Sequence, residues 1–277
     1  MVKHQIDTGS HPPISRPPYR QSPARRKLTQ ELVKGLLDLS IVRPSSSLWA
    51  SPVVIVQKKT GDLRFCVDYR KLNEITRKDQ YPLPRIQDSL DYLGEAKFFS
   101  SLDLKSGYYQ IELNEEDKPK TAFITPDGLY EFNVMLFGLT NALATFQRCM
   151  DVVLSGLKYN SLVYLDDILV YSFTFEEHLN RLEAIFIRLQ QANLKLHSVK
   201  CTFILPKITY LGFVIDQNGQ RPDPDKLRAI KDFPKPTNIT GIRSFVSLCS
   251  YYRKFVKDFA KIAKPLTMLT KKEIPFE

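Results

Sequence analysis

The sequence predicts an α+β fold with a largely antiparallel sheet. Strand-like segments arrive mostly as pairs joined by turn signals, amphipathic stretches of helical spacing separate those pairs, and no internal repeat is present. With 277 residues and 43% hydrophobic content, the chain can bury a sizeable core as one large domain or as two to three small subdomains.

In chain order, the segment from His11 to Pro23 is proline-rich and reads as an extended arm or linker, not a packed element. Helical spacing follows in LTQELVKGLLDLSIV, where Leu28, Leu32, Leu36 and Leu37 fall on one face. A hairpin comes next, with strand SPVVIVQ, a turn at Lys59-Thr60-Gly61-Asp62 and strand LRFCVDY. The polar LNEITRKDQ leads to YPLPRIQDSLDYLG, which has Ile86, Leu90 and Leu93 at helical spacing and Gly94 as a stop. FFSSLDL is a strand whose end carries Asp103, and KSG turns the chain. Strands TAFIT and LYEFNV flank Pro126-Asp127-Gly128, a strong hairpin signal. A helix spans about Asn141 to Leu154. A second hairpin, YLDDILVYS, precedes the long amphipathic helix FEEHLNRLEAIFIRLQQA. Two short strands follow around LKLH and KITYLGFVI, with Asn218-Gly219 as a turn. Beyond Pro222 the chain is basic and helical, with Ile242, Phe245, Val246, Cys249, Tyr252, Val256 and Phe259 spaced for one helix face.

Composition narrows the function classes. No apolar run approaches the roughly 20 residues of a bilayer span, and the polar start has no hydrophobic signal core, so the chain reads as soluble and intracellular. Cys66, Cys149, Cys201 and Cys249 lie far apart without a Cys-x-x-Cys pair, and the four histidines are equally dispersed, which argues against zinc and against a disulfide framework. The net charge of +10 is uneven. Residues 1–30 carry six basic and one acidic side chain, and residues 222–277 carry twelve basic and six acidic, leaving a near-neutral middle. Two basic flanks suit a polyanion gripped at the ends and processed in the centre; a solubilising surface would give the same totals.

In YLDDILVYS two adjacent carboxylates, Asp166 and Asp167, sit between strand-forming runs. Asp-Asp at a hairpin tip is usually a solvated turn. Here the flanks imply a sheet with one buried face, and a third carboxylate, Asp103, ends another apolar strand. If the two strands are neighbours, three acids meet at one sheet edge, which is unfavourable unless protons or metal ions neutralise them. With no His or Cys nearby, an all-oxygen site favours Mg²⁺ or Mn²⁺. Two such ions about 4 Å apart activate an attacking hydroxyl and stabilise the leaving oxygen of a phosphoryl group, the chemistry of nucleotidyl transfer. The hairpin KKTGDLRF offers Lys58, Lys59 and Arg64 to hold a triphosphate, although a charged hairpin tip is the commoner meaning of a Lys-Lys pair.

The motifs LRFCVDYRKLN, FFSSLDLKSGYYQIEL, KTAFITPDGLYEFNVMLFGLTNALATFQ, YLDDILVYS and TYLGFVI occur in this order, and together they resemble a reverse transcriptase of the Ty3/gypsy class of LTR retrotransposons. The likeness runs from about His4 to the last residue. HQIDTGSHPP resembles the segment after the protease of a Gag-Pol polyprotein, and LTKKEIPFE the stretch just before RNase H, which is absent. The resemblance implies a right-hand polymerase, with an arm over 1–27, fingers over 28–97 and 120–155, palm over 98–119 and 156–221, and thumb over 222–277. It implies an RNA- and DNA-directed DNA polymerase using two Mg²⁺ ions, with Mn²⁺ able to substitute. The implied partners are RNA and DNA template-primer, deoxynucleoside triphosphates and the rest of the polyprotein (protease, RNase H, integrase), with no membrane; the implied place is the cytoplasm, in virus-like particles.

Residue by residue, the resemblance implies that Asp103, Asp166 and Asp167 form the metal-binding catalytic triad. It puts Lys58 or Lys59, Arg64, Leu104, Lys105, Ser106, Tyr108 and Phe137 around the incoming nucleotide. Asp68, Arg70, Tyr164, Tyr210, Leu211, Gly212, Arg243, Ser247, Tyr251, Arg253, Lys254 and Lys257 fall to template and primer, the last six on a thumb helix from about Thr240 to Asp258. Tyr108 would be the sugar gate, and strand-like alternation would send Tyr109 to the opposite face and into the core. The chain departs from the family pattern at Leu136 and Leu143, where proline is usual, and at Ser247, where glycine is usual. None of the three is an expected metal ligand. The competing reading is an impaired remnant or structural subunit that binds nucleic acid without extending it; a two-metal nuclease would leave the triphosphate-holding cations without purpose.

Overall fold

A computed structural model of the chain describes residues 2–57, 63–84, 90, 93–94, 96–157, 161–164 and 167–271. Lys58, Lys59, Asp166 and most of the expected helix in YPLPRIQDSLDYLG lie outside the described residues.

The amino-terminal segment is extended, as its prolines require, but it is packed, which corrects the expectation of a free linker. His4 and Ile6 are buried, and bridges join His4 to Leu113 and Ser15 to Ala50. Proline has no N–H, so other residues make the backbone bonds: His4 N–H, ahead of the prolines, donates to Glu112 O (2.8 Å) and Arg16 N–H, between them, to Ala50 O (2.9 Å). The first helix, α1 (Pro23–Asp38), begins earlier than the apolar spacing suggests, because Ser22 caps it and Pro23 has the right φ for its first turn. Its fully buried residues are Thr29 and Val33, while Leu36 and Leu37 of the expected row are half-buried and pack against the same core.

Five strands form the first sheet, in the order β1-β6-β5-β2-β3: β1 (Val42–Pro44), β2 (Ser51–Gln57), β3 (Leu63–Val67), β5 (Phe123–Thr125) and β6 (Gly128–Phe132). One pair, β2 with β5, is parallel; the others are antiparallel. The short helix α2 (Arg70–Ile75) follows β3. The second sheet has the order β7-β8-β4-β9, with β4 (Phe98–Asp103), β7 (Ser161–Tyr164), β8 (Asp167–Ser172) and β9 (Thr202–Leu205). The LKLH segment contributes only a bridge from Leu196 to Leu104, and Thr202–Leu205 supplies the edge strand instead. KITYLGFVI is two strands, β10 (Lys207–Tyr210) and β11 (Phe213–Asp216), which with β12 (Gly219–Pro222) make a third sheet.

Strand alternation divides the core in two. On one face of the second sheet Leu102, Ile168 and Val170 join a large apolar cluster with α3 (Ala142–Val153) and α4 (Phe175–Gln191), including Phe146 and Ile185. On the other face Phe99, Leu169 and Tyr171 pack with Tyr210, Phe213 and Ile215 of the third sheet. The first face also carries a buried polar chain centred on His178 of α4. Ile204 N–H donates to Ser100 Oγ (2.9 Å) and Ser172 O–H to Thr174 O (3.0 Å). Every hydrogen then finds a partner if Ser100 O–H donates to His178 Nε2 (2.7 Å) and His178 Nδ1–H to Ser172 Oγ (2.9 Å), so the ring is held neutral.

The carboxyl-terminal part contains α5 (Pro224–Lys231), α6 (Ile239–Ser250) and α7 (Phe259–Met268). The helix expected to run to Asp258 stops at Ser250, because the next two residues are engaged elsewhere: Tyr251 Oη–H donates to Leu211 O (2.6 Å) and Tyr252 Oη–H to Gly212 O (3.1 Å). Asp258, in the left-handed region, then restarts the chain as α7. No helix among the described residues is long and apolar enough to cross a membrane.

The packed arm makes stability pH-dependent. His4 Nδ1 shares a 2.8 Å hydrogen bond with Thr145 Oγ1, and burial pushes the imidazole down to about 4 from 6.5. Between those values the unfolded chain binds the proton and the folded chain does not, so stability falls as pH drops from 6.5 toward 4, by up to roughly 3 kcal/mol. His4→Gln should flatten that part of the curve, as measured by urea unfolding at a series of pH values.

Candidate active site

Strand pairing brings two of the three carboxylates together. In the antiparallel register of β4 and β8, Asp103 lies directly across from Asp167, and Tyr164 of β7 pairs with Asp167 from the other side. Asp103 alternates with Phe99 and Asp167 with Leu169, so both carboxylates lie at the end of the face that the third sheet covers. Although Asp167 as a residue is exposed, its carboxyl is pushed up, first by loss of surrounding water and then by the like charge of Asp103; Lys200 opposes the shift. Lys200 Nζ stands 3.7 Å from Asp103 Oδ1, an open ion pair of little strength. Nothing in the spacing around LKLHSVKC signals this lysine.

The turn after Asp103 carries the expected nucleotide-side residues. Lys105 N–H donates to Lys195 O (2.9 Å), Ser106 sits at φ 51°, and Gly107–Gln110 forms a 3₁₀ turn. Leu104 is buried, whereas Lys105 and Ser106 are exposed. Gly107 allows a close approach: a Cβ there would lie 3.0 Å from Phe146 Cε2 and 3.3 Å from Leu104 Cβ, tight enough that the ring would have to shift. That closeness lets Phe146 stack on Tyr108, with ring centres 5.2 Å apart. Phe137 covers Tyr108 from another side at 4.3 Å, and the Arg64 guanidinium lies 5.5 Å over Phe137. Tyr108 is therefore 3% exposed, packed between two phenylalanines, while Phe137 is 44% exposed and faces out. Tyr109 packs near Phe132, and burial pushes its hydroxyl up. Both tyrosines pack on the same apolar cluster, Tyr108 more deeply than the half-buried Tyr109, so the expected split by strand alternation does not occur in this 3₁₀ turn. Phe146, which holds Tyr108 in place, was not singled out in the sequence, where its apolar spacing reads as ordinary core.

A second group of residues surrounds the two-residue turn between β10 and β11. Leu211 and Gly212 both have positive φ, 49° and 79°, and a Cβ on Gly212 would lie 3.0 Å from Tyr252 Oη. Tyr251 and Tyr252 tie this turn to the helical end. Tyr210 is buried, and its hydroxyl has no hydrogen-bond partner among the described residues; burial, then Asp167, push it up. Of the basic residues expected on one helix, Lys254 donates to Gln220 Oε1 (2.7 Å) and lies 5.0 Å over Phe213, and Arg243 lies on α6 with Nη2 3.4 Å from Thr270 O. Arg253 and Lys257 are exposed beyond the end of α6, and Ser247 is exposed on it. Leu136 is buried and Leu143 exposed.

Asp68 is turned inward. Arg70 donates from Nε to Oδ1 (2.8 Å) and from Nη2 to Oδ2 (2.7 Å), Tyr19 Oη–H donates to Oδ2 (2.7 Å), and Arg16 Nη1 approaches the same oxygen (3.3 Å). Arg70 foremost, with Tyr19, holds the carboxyl well below its usual range, against the effect of burial. Arg16 and Tyr19 are remote in sequence, and only the packed arm reveals them.

Comparison with known proteins bears on the family and the fold. A family profile described as reverse transcriptase (RNA-dependent DNA polymerase) matches residues 56–215. The Pol polyprotein of transposon 297 of Drosophila melanogaster is 42% identical over 98% of the chain, and that of transposon gypsy of the same species is 43% identical over 87%. The Tf2-3 polyprotein of Schizosaccharomyces pombe is 33% identical over 92%. The chain spans about a quarter or less of the length of these relatives, 26%, 24% and 19%. Among solved structures, a foamy viral protease-reverse transcriptase in complex with double-stranded DNA superposes with a TM-score of 0.89 at 26% identity, covering 97% of this chain and 47% of that one. Another, in complex with an RNA/DNA hybrid, has a TM-score of 0.84 at 25% identity, covering 99% and 37%. The architecture is thus that of a right-hand polymerase, and the chain belongs to the reverse transcriptase (RNA-dependent DNA polymerase) family.

Proposed function

We propose that this chain extends a primer on RNA and DNA templates by nucleotidyl transfer, as the polymerase part of a retrotransposon Pol polyprotein. The observation that carries the reading is the register that sets Asp103 against Asp167 at an open sheet end. The foamy viral relatives that share this fold hold double-stranded DNA and an RNA/DNA hybrid, which supports a template-primer as the partner here.

The donor set fits divalent cations. Two carboxylates face one another and the hairpin supplies a third, Asp166, so hard oxygen ligands dominate and Mg²⁺ is the natural ion. When bound, a pair of such ions lowers the pKa of an attacking hydroxyl and neutralises charge on a leaving oxygen. Asp103, Asp166 and Asp167 would hold them. The chain's other residues orient the reactants. Arg64, exposed above Phe137, would meet the triphosphate, with Lys58 or Lys59 beside it, while Tyr108 under Phe137 would meet the sugar. The turn at Leu211 and Gly212, fixed by Tyr251 and Tyr252, would hold the primer end so that its 3′-hydroxyl attacks the α-phosphorus and pyrophosphate leaves. Primer extension on a defined RNA template with Mg²⁺ decides between this reading and a binding-only remnant.

Two outcomes are expected. Asp103→Asn and Asp166→Asn should each abolish extension, by at least about a hundredfold, while template-primer affinity survives, because each removes one charge from the metal site and leaves the basic end untouched. Extension near the wild-type rate by both variants rejects the carboxylate assignment. Tyr108→Val should raise ribonucleotide relative to deoxyribonucleotide use, since a planar ring against C2′ leaves room for hydrogen but not for hydroxyl. The ratio of kcat/KM for matched nucleotides measures it, with Tyr109→Val expected chiefly to lower the unfolding midpoint.

A further inference from the structure

We infer that the amino-terminal arm completes a phosphate-binding site for the unpaired template strand, in which Arg16 and Arg70 are the two guanidiniums and Tyr19 positions them. The inference rests on the polymerase reading and adds a segment that the sequence presents as a linker.

The geometry begins at Asp68. Its side chain is 5% exposed and accepts from Arg70, Tyr19 and Arg16, so the carboxylate itself has no face left for a nucleic acid. What faces outward is cationic. The Arg70 side chain is 77% exposed although Asp68 grips it through two nitrogens, and the Arg16 side chain is 34% exposed. Each guanidinium keeps most of its five N–H donors free of Asp68. Two positive charges around one negative leave a net positive, rigidly held pair, and paired guanidiniums match phosphate oxygens. Tyr19 adds no charge. Its hydroxyl donates to the same carboxylate oxygen that both arginines approach, and Arg16 lies 5.6 Å over its ring, so it fixes where both cations stand.

Position identifies the partner. Asp68 directly follows β3, the strand that carries Arg64, and four strand residues put it roughly 13 Å further along. The site therefore continues the row that starts beside Phe137 and Tyr108, on the first sheet and away from the third sheet and its helices. Beyond Tyr19 the arm carries Arg20, Arg25 and Lys27, all exposed and without an acidic partner among the described residues, while Arg26 pairs with Asp127. A flexible polyanion leaving the nucleotide site past Arg64 would next meet the Arg16–Arg70 pair.

The test uses the full chain and measures affinity by fluorescence anisotropy for primer-templates with a template overhang of one nucleotide or of about ten, across a salt series. Wild type should bind the long overhang more tightly. Arg16→Ala should cut that advantage several-fold and lower the log–log salt slope by roughly 0.7, the value for one phosphate contact on a single strand. Arg16→Lys should restore the slope but only part of the affinity. Tyr19→Phe should reduce the advantage with the slope unchanged, since it alters geometry and not charge, and it covers the case in which Arg16→Ala fails to fold. Wild-type advantage and slope in Arg16→Ala or Tyr19→Phe would overturn the inference and leave the arm a purely structural strap. Failure of the wild-type chain to extend any primer would overturn the polymerase reading separately, because the overhang ratio is read without extension.

Discussion

The antiparallel pairing of β4 with β8 is the constraint on which the candidate site depends. Six residue pairs run from Phe98 opposite Ser172 to Asp103 opposite Asp167, and the repulsive pair sits at the end of an apolar ladder that would not otherwise tolerate it. Burial of Phe99, Leu102, Ile168 and Val170 on both faces fixes that register, because a slip by one residue would exchange the two cores. The sheet therefore holds two like charges together at a cost carried by the packing behind them. Lys200 offsets part of that cost from the open side.

Around this pair, aromatic side chains do much of the positioning. Tyr108 is immobilised between Phe137 and Phe146, and the missing side chain at Gly107 is what permits the stack. Tyr251 and Tyr252 act at a distance from the carboxylates by satisfying two carbonyls of a strained two-residue turn. In both places hydrogen bonds or rings from a separate element remove freedom that a turn alone would keep.

Much of this was legible in the sequence. Alternation around FFSSLDL and YLDDILVYS pointed to two strands ending in carboxylates, and Pro126-Asp127-Gly128 marked its hairpin, because those signals are local. What failed to show depended on remote partners. The arm reads as a linker because its prolines suppress every local pattern, yet His4 and Ile6 are buried against segments around a hundred residues away. The turn inside KITYLGFVI is hidden because Leu211, not a second glycine, takes the first positive φ. The end of α6 is hidden because apolar spacing continues through Tyr252 while the tyrosine hydroxyls bind elsewhere. Lys200, Phe146, Arg16 and Tyr19 belong to the same class: each is defined by what it meets in space.

The packed arm also sets an order for biosynthesis. It is made before the segments that seat it: His4 reaches Thr145, 141 positions later, and Lys120 closes over Ile6 O, 114 positions away. The Ser15–Tyr19 part can settle on Ala50 and Asp68 as the first sheet forms, but the His4 end lacks its full native seat until α3 has been made, so its docking is a late, high-separation closure. Chains paused before Thr145 would therefore expose the His4 end of the arm to proteases that the finished fold excludes.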